Sequence, residues 1–243
     1  MNAKDFYDAT ADRYDGELFA AMPYTVETRF GYLFSLLDAD TPVAGWRILE
    51  IGAGTGAYSG KLADLRPARL VVTDVSGEML QIAERKVEGH GESIEFRSCE
   101  CEALPFADKS FDLVVGFACF HHFRDTAAAF SEISRVLDDS GHLLVMEPNP
   151  LHPGNFLLGL FRKIERGMMH SWPEMWRKAG ERAGLRLEGF RRGSFFPGWP
   201  AGCIGIYRFF EKVLTRLPVV RNFAIFGFYH FVKAASDQHT KPE

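Results

Sequence analysis

The first residues of this sequence that could do chemistry form a glycine-rich turn. Gly52, Gly54 and Gly56 occupy alternate positions directly after the apolar run at 48–51. Glycine lets the backbone turn sharply and lets a ligand lie against bare peptide, and a helix start adds N–H donors and positive potential. The turn predicts a nucleotide-containing cofactor. Its spacing also suits a dinucleotide, and a tight turn without any ligand is the structural alternative.

A single carboxylate, Asp74, ends the next predicted strand. A carboxylate in this position can accept hydrogen bonds from both ribose hydroxyls of an adenine nucleotide. An isolated acid is more often a helix cap, and Ser76 is a competing candidate for that cap. Because a glycine turn precedes this strand, the sequence favours the ribose role for Asp74.

Two adjacent histidines, His121 and His122, follow the fourth predicted strand. They lie at the carboxyl-terminal edge of the sheet, where open α/β sheets bind ligands. An imidazole there titrates near neutrality and can take a proton from an oxygen or an acidic carbon, so both are candidate catalytic bases. The alternative is that they only bond the backbone or line a pocket. No metal is expected, because adjacent side chains seldom converge on an ion without further ligands.

The elements that must position these residues alternate between strand and helix. Apolar runs predict strands at 47–51, 69–73, 93–98, 111–117 and 142–147, with helices between them at 59–65, 77–87 and 126–137. After three prolines the pattern changes to helices at 155–169, 172–183 and 204–217, and strands at 185–191 and 223–234. Such alternation predicts an α/β fold with a doubly wound, mainly parallel sheet.

Five segments in this order carry a family resemblance: ILEIGAGTG, VVTDVSGEML, CECEALPFADKSFDLVV, HHF and RVLDDSGHLLVMEP. Together they resemble the methyltransferase domain of the ubiquinone and menaquinone biosynthesis C-methyltransferases, which are class I S-adenosylmethionine-dependent enzymes. The resemblance covers about residues 40–147, and the N-terminal segment FYDATADRYD also resembles the family. It implies a seven-stranded Rossmann-like methyltransferase fold with a helical, aromatic-rich insertion after strand five. It also implies S-adenosyl-L-methionine as cofactor.

The resemblance implies a cofactor-binding set of Tyr14, Glu50, Gly52, Ala53, Gly54, Gly56, Asp74, Val75, Met79, Glu100, Cys101 and Phe117. Glu50 and the first glycines of the turn would surround the methionine moiety, and Gly56 would begin the covering helix. Phe117 would lie beneath the donor, and Tyr14 would close over it.

The same resemblance assigns the nucleoside end of the donor. Asp74 would hold the ribose, and Val75 and Met79 would pack on the adenine ring. Glu100 would receive the adenine amino group, and Cys101 would offer its backbone amide to the ring. The family often has aspartate where this chain has Glu100, which puts the reach of this side chain to adenine in doubt.

The expected organisation is one domain over residues 1–243. It comprises an N-terminal helical lid at 1–40, a cofactor-binding core at 41–147, and acceptor-side helices with closing strands at 148–243. The donor sulfonium carries an activated methyl group, so the enzyme's main task is alignment and exclusion of water. The resemblance does not specify the acceptor or whether oxygen or carbon is methylated.

The segment after residue 147 is rich in aromatic side chains, which suits an apolar or lipid-like small-molecule acceptor. Phe195, Phe196 and Trp199 are predicted to line its pocket; filling of the core is the alternative. Basic side chains beside the apolar stripe of 155–169 also suggest an interfacial helix with peripheral membrane contact. An ordinary amphipathic helix covering the sheet is the competing interpretation.

Composition and charge exclude other classes of protein. Hydrophobic residues make up 47% of 243, which is enough for a core, and a net charge of −4 disfavours a nucleic-acid partner. The four cysteines lack Cys-x-x-Cys spacing, so free thiols are expected rather than a zinc or redox site. The sequence start does not resemble a signal peptide, and no apolar run reaches the ~18 residues of a membrane helix, so a cytoplasmic location is expected.

Two rival functions stay open at this point. A nicotinamide-dependent oxidoreductase would use a related sheet, but it needs a hydride-site pair such as Tyr and Lys, and none is convincingly placed. A scaffold that binds S-adenosylmethionine without turning it over, and works through partners, would keep the same glycines and acids.

Overall fold

The computed structural model describes residues 3–17, 23–90, 94–196 and 203–234. Within these ranges the strands are β1 (Arg47–Ile51), β2 (Arg69–Asp74), β3 (Ile94–Ser98), β4 (Phe111–Phe117), β5 (Leu137–Pro148), β6 (Leu185–Gly193) and β7 (Phe226–Lys233). The helices are α1 (Ala3–Glu17), α2 (Pro23–Phe34), α3 (Ser59–Asp64), α4 (Gly77–Lys86), α5 (Thr126–Val136), α6 (Pro153–Phe161), α7 (Pro173–Arg182) and α8 (Ile204–Leu214). None of these helices has both the length and the apolar character needed to span a bilayer.

The strands form one seven-stranded sheet in the order β3-β2-β1-β4-β5-β7-β6. Strands β1 to β5 are parallel to one another, and β7 is antiparallel to both β5 and β6. This arrangement confirms the predicted doubly wound, mainly parallel sheet. The strand order reverses between β1 and β4, and ligands of open α/β sheets bind at the carboxyl ends of the strands beside such a reversal.

Apolar side chains cover both faces of the sheet, which explains why the central strands show no polar alternation. In β1, Leu49 packs into the cluster on one face and Ile48 into the cluster on the other. Phe130 of α5 and Trp176 of α7 cover the first face, and Leu33 of α2 covers the second. Full burial of one such side chain contributes about 1.5–3 kcal/mol, so these layers hold the strand ends firmly in place.

The predicted single helix at 155–169 is wrong. Helix α6 ends at Phe161, Arg162 is extended, and a 3₁₀ helix follows over Lys163–His170. A Cβ atom added to Gly167 would lie 1.8 Å from the carbonyl oxygen of His121, so this segment packs backbone to backbone against the short 3₁₀ turn that follows β4. That contact requires the chain to leave the axis of α6, and apolar periodicity alone cannot reveal it.

Candidate active site

A cavity of about 420 Å³ opens at the carboxyl ends of β1, β2, β4 and β5, between α1 and the 153–170 segment. All residues of the predicted cofactor set line this cavity except Gly56, and His121 and His122 line it as well. The strand order therefore brings together residues from motifs that are separated along the chain. The cavity is the candidate site for both donor and acceptor.

The three glycines of the turn have different physical roles, although all have positive φ angles of 60°, 55° and 74°. A Cβ atom at Gly52 would lie 2.4 Å from Cβ of Cys119, and one at Gly56 would lie 2.7 Å from Cβ of Ala83. One at Gly54 would meet nothing within 4 Å. Gly52 thus lets the turn approach the end of β4, Gly56 lets it approach α4, and Gly54 borders open space.

Asp74 is buried at the end of β2 and organises the turn. Its carboxylate accepts hydrogen bonds from the backbone N–H groups of Gly54 (2.8 Å) and Ser76 (2.9 Å). The hydroxyl of Ser76, not Asp74, caps α4 by accepting from the N–H of Met79 (3.1 Å). Burial raises the pKa of Asp74, and the backbone donors partly offset that rise. Since a carboxylate has four acceptor positions, Asp74 keeps capacity toward the cavity.

Glu50 and Arg29 place an acidic and a basic side chain at the end of the cavity where the methionine moiety was predicted. Glu50 is buried and accepts a bond from the Ser59 hydroxyl (2.6 Å), and loss of hydration raises its pKa to about 8. Arg29 of α2 is 9% exposed, its Nε donates to Ser194 Oγ (3.4 Å), and its guanidinium lies 4.5 Å from the Phe226 ring centroid. Among the described carboxylates, none forms an ion pair with Arg29.

Sequence reasoning missed Arg29 because its helix lies outside every motif of the chain. The sequence shows one arginine among many on an amphipathic segment. Only the packing of α2 against β7 reveals that this arginine is buried beside the cavity.

At the predicted adenine end, Val75, Met79 and Cys101 line the cavity, and Met79 and Cys101 are buried. Glu100 is more exposed and forms an ion pair with Arg124, which lines the same end. The predicted contact of Glu100 with the adenine amino group therefore has to compete with Arg124.

Helix α1 borders the cavity beside the predicted cofactor residues. Tyr7 and Tyr14 both line the cavity and contact each other edge to face, with ring centroids 5.8 Å apart. The Ser76 hydroxyl donates to Asp8 (2.5 Å), which fixes α1 to the start of α4. The Tyr7 hydroxyl lies 2.7 Å from Nε2 of His122. Sequence reasoning missed Tyr7, which lies in the same N-terminal segment, FYDATADRYD, as the predicted Tyr14.

His121 lies between two buried carboxylates. Its Nδ1 is 2.7 Å from Glu147 and its Nε2 is 3.3 Å from Glu165. Burial lowers the pKa of His121, but the two carboxylates outweigh it and raise the pKa to about 9. With both ring nitrogens engaged, His121 has no free nitrogen with which to take a proton from an acceptor.

His122 has the opposite electrostatic environment. Burial, followed by the charge of His121, lowers its pKa to about 3, so the ring is neutral at physiological pH. Its Nδ1 has no hydrogen-bond partner among the described atoms. Neither histidine is therefore poised as a general base in this conformation, and the catalytic role predicted for them stays a prediction.

The cavity has an apolar wall on the side where the acceptor was predicted to bind. Its wall includes Met146, Leu158, Met168, Ile225 and Phe226.

Neither Phe195 nor Phe196 is among the described residues that line this cavity, so that part of the pocket prediction is wrong. Phe196 instead stacks on Tyr207 of α8, with ring centroids 4.9 Å apart. Trp199 lies outside the described residues.

Comparison with known proteins shows similarity to methyltransferases. Residues 49–145 match the methyltransferase domain family. The ubiquinone/menaquinone biosynthesis C-methyltransferase UbiE of Hahella chejuensis is 32% identical over 154 residues, covering 60% of this chain and 60% of that protein. The demethylmenaquinone methyltransferase of Thermus thermophilus is 39% identical over 111 residues, covering 45% and 50%. The alignments thus span 50% to 60% of the length of these relatives.

A solved structure shows the same architecture over nearly the whole chain. A SAM-dependent methyltransferase from Thermotoga maritima has a TM-score of 0.67 against this chain and covers 95% of it, with 99% of its own chain matched. The two sequences are only 17% identical, so this likeness shows the fold.

Proposed function

We propose that this chain, whose residues 49–145 match the methyltransferase domain family, is a class I S-adenosylmethionine-dependent methyltransferase that transfers the donor's methyl group to oxygen or carbon of a small apolar acceptor. One observation carries the proposal. A single cavity joins the glycine turn and Asp74 on one side to an apolar wall on the other. A nucleoside donor and an apolar acceptor can therefore meet at the strand ends.

The donor would be held along its whole length by residues of the cavity. Asp74 would accept the ribose hydroxyls, and Val75 and Met79 would pack on adenine. At the other end, the methionine moiety carries an ammonium and a carboxylate. Glu50, once ionised, would pair with the ammonium, and Arg29 would pair with the carboxylate, so together they would recognise the zwitterion.

Bound S-adenosylmethionine supplies an activated methyl group, so the chain's own contribution is positioning and exclusion of water. Phe117, stacked on Tyr58 with centroids 3.9 Å apart, provides a rigid apolar floor. We assign the lid to residues 1–40, the cofactor core to 41–147 and the acceptor side to 148–243. Helix α1 covers the cavity with Tyr7 and Tyr14, which supports the assignment of the lid.

Calorimetry with S-adenosylmethionine, its demethylated product and NAD tests the donor assignment. We expect both sulfur compounds to bind far more tightly than NAD, because the cavity presents an acid and a base to a zwitterion at the end opposite adenine. Tighter binding of NAD would favour the oxidoreductase alternative and contradict the proposal.

Donor binding is expected to release a proton from Glu50. The free protein holds this carboxyl protonated below its pKa of about 8. An ammonium group beside it favours the ionised form, so binding at pH 6–7 releases a proton, and donor affinity rises with pH toward 8. Calorimetry at pH 6.5 in two buffers of different ionisation enthalpy measures the release. In Glu50→Gln we expect weaker binding without that release; proton release equal to wild type would assign it to another group.

An apolar acceptor is supported by the cavity wall and by the names of the relatives, which refer to quinone biosynthesis. Burial of apolar surface against this wall contributes about 25 cal/mol per Å². Polar groups in the same place would lose water without gaining partners. An acceptor ring with a phenolic oxygen or an activated carbon would pack its apolar atoms against this wall and direct the reacting atom toward the polar groups at the strand ends.

Peripheral membrane contact is the second part of this proposal, since α6 exposes Phe156, Leu157, Leu160 and Phe161, the last at 79%. The segment that directly follows α6 begins with Arg162 and carries exposed basic side chains. Apolar and basic groups side by side suit an anionic bilayer surface, from which a lipid-like acceptor could enter.

Binding to vesicles that contain an anionic phospholipid tests this contact. We expect the wild type to cosediment with them and the double variant Leu157→Ala/Phe161→Ala to lose at least about tenfold in partitioning, because each side chain contributes about 1.5–3 kcal/mol when buried. Phe190→Ala, an exposed aromatic on β6, is the matched control. Equal partitioning of the double variant and the wild type would rule out this face as the contact.

A further inference from the structure

We propose that His121, His122 and Glu165 form a binding site for a divalent transition-metal ion such as Zn²⁺. One donor atom from each of the three side chains lies within 4.8 Å of the others. Two imidazoles and a carboxylate are ligands that zinc and related metals favour. Two adjacent histidines seldom converge on an ion without a further ligand, and Glu165 is such a ligand.

The distances between donor atoms are close to those around a bound ion. Oε2 of Glu165 lies 3.3 Å from Nε2 of His121 and 3.9 Å from Nε2 of His122. Two ligands of one ion with bonds of about 2.0–2.2 Å stand roughly 3.0–3.5 Å apart. The donor atoms of the two imidazoles lie within 4.8 Å of each other, so the three ligands must draw together when an ion binds, and the Tyr7 hydroxyl would give up its bond to His122.

The surroundings hold the ligands in place as an outer shell does around a metal. Nδ1 of His121 contacts Glu147, and the other oxygen of Glu147 accepts the N–H of Phe120 (2.8 Å). A carboxylate behind a ligating imidazole fixes its tautomer and orients its free nitrogen toward the ion. The close contact of Gly167 with the His121 carbonyl fixes the segment that carries Glu165.

The charges of the cluster also favour a cation. Glu147 and Glu165 have side-chain exposures of 0% and 11%, and their ion-pair partners among the described residues are only histidines. Buried carboxylates need compensation by a cation or a metal. In the metal-free protein, protonated His121 balances one of these charges. A divalent ion that displaces the proton from Nε2 of His121, which leaves to solvent, would balance both.

The three ligands line the cavity, whereas Glu147 does not. An open position of the ion would therefore face the acceptor side, where it could hold and polarise an oxygen of the acceptor. This consequence rests on the proposed function. The binding of the ion itself does not, and it can be measured without donor or acceptor.

Titration of the full-length, untagged and chelator-treated chain with Co²⁺ and Zn²⁺ tests the site. We expect one ion per chain, with visible Co²⁺ absorption bands of low-coordinate geometry. Glu165→Gln should lower affinity by more than the roughly 10–100-fold that loss of an outer-shell partner costs. His142→Gln is the matched control, because His142 and His230 form a second pair 2.9 Å apart with no carboxylate in ion-pair distance among the described residues.

Absence of a saturable site of one ion per chain, unchanged affinity in Glu165→Gln, or loss of binding in His142→Gln would each overturn the proposal. If Glu165→Gln does not fold, X-ray absorption of the zinc-loaded wild type decides. Two imidazole ligands with oxygen support the site, and an aquo ion or a single imidazole contradicts it.

Discussion

Replacing Asp74 with alanine is expected to weaken binding of S-adenosylmethionine by about 2–4 kcal/mol, or roughly 30- to 1,000-fold. Two contributions add in the same direction. The ribose hydroxyls lose their charged acceptor, and the N–H of Gly54 loses the bond that holds the glycine turn. Charge-assisted hydrogen bonds are the stronger class, and water replaces them only in part. Calorimetric titration of the folded variant measures the loss.

Asp112→Ala is the control for this experiment. Its carboxylate also accepts a backbone N–H, that of Arg47 at 2.7 Å, but at the opposite edge of the sheet. We expect Asp112→Ala to lower stability without changing donor affinity. Donor affinity equal to wild type in a folded Asp74→Ala would mean that Asp74 only organises the turn.

Gly52→Ala is expected to lower the free energy of unfolding by about 2–5 kcal/mol and to abolish donor binding. A residue other than glycine at a φ of 60° costs roughly 1–2 kcal/mol. The added methyl would also lie 2.4 Å from Cβ of Cys119, so the turn or the end of β4 must shift, which typically costs 1–3 kcal/mol more. Urea unfolding with parallel donor titration measures both effects.

Gly54→Ala separates the two causes. Its φ of 55° gives a similar backbone cost, but the new methyl meets no atom within 4 Å. The difference in unfolding free energy between the two variants therefore isolates the contact with Cys119. Equal losses in both variants would show that backbone conformation alone explains the requirement for glycine.

The sheet and the donor half of the cavity could be predicted because their signals are local. Strands buried on both faces read as short apolar runs, and the residues around Gly52 and Asp74 follow those strands directly. The strand order then brings their carboxyl ends together. The aromatic segment after β5 was assigned less well. Its apolar side chains pack in the core, lie on the surface or line the cavity, and the sequence does not distinguish these places.

The partners of the two histidines could not be predicted, because they come from distant parts of the chain. Glu165 reaches His121 only because α6 breaks before the 3₁₀ helix, and Tyr7 reaches His122 only because α1 folds over the strand ends. The sequence showed a pair of imidazoles suited to base catalysis. The structure instead shows one held between two carboxylates and one kept neutral by burial.

Transfer of label from S-adenosylmethionine with a tritiated methyl group tests the central claim most directly. Purified chain is incubated with the labelled donor and a bacterial lipid and quinol extract, and the apolar product is separated and identified. We expect radioactivity in an apolar product with the wild type and none with Asp74→Ala at the same donor concentration. Tight donor binding without transfer to any acceptor in the extract would contradict the claim and favour a scaffold that binds the donor without turnover.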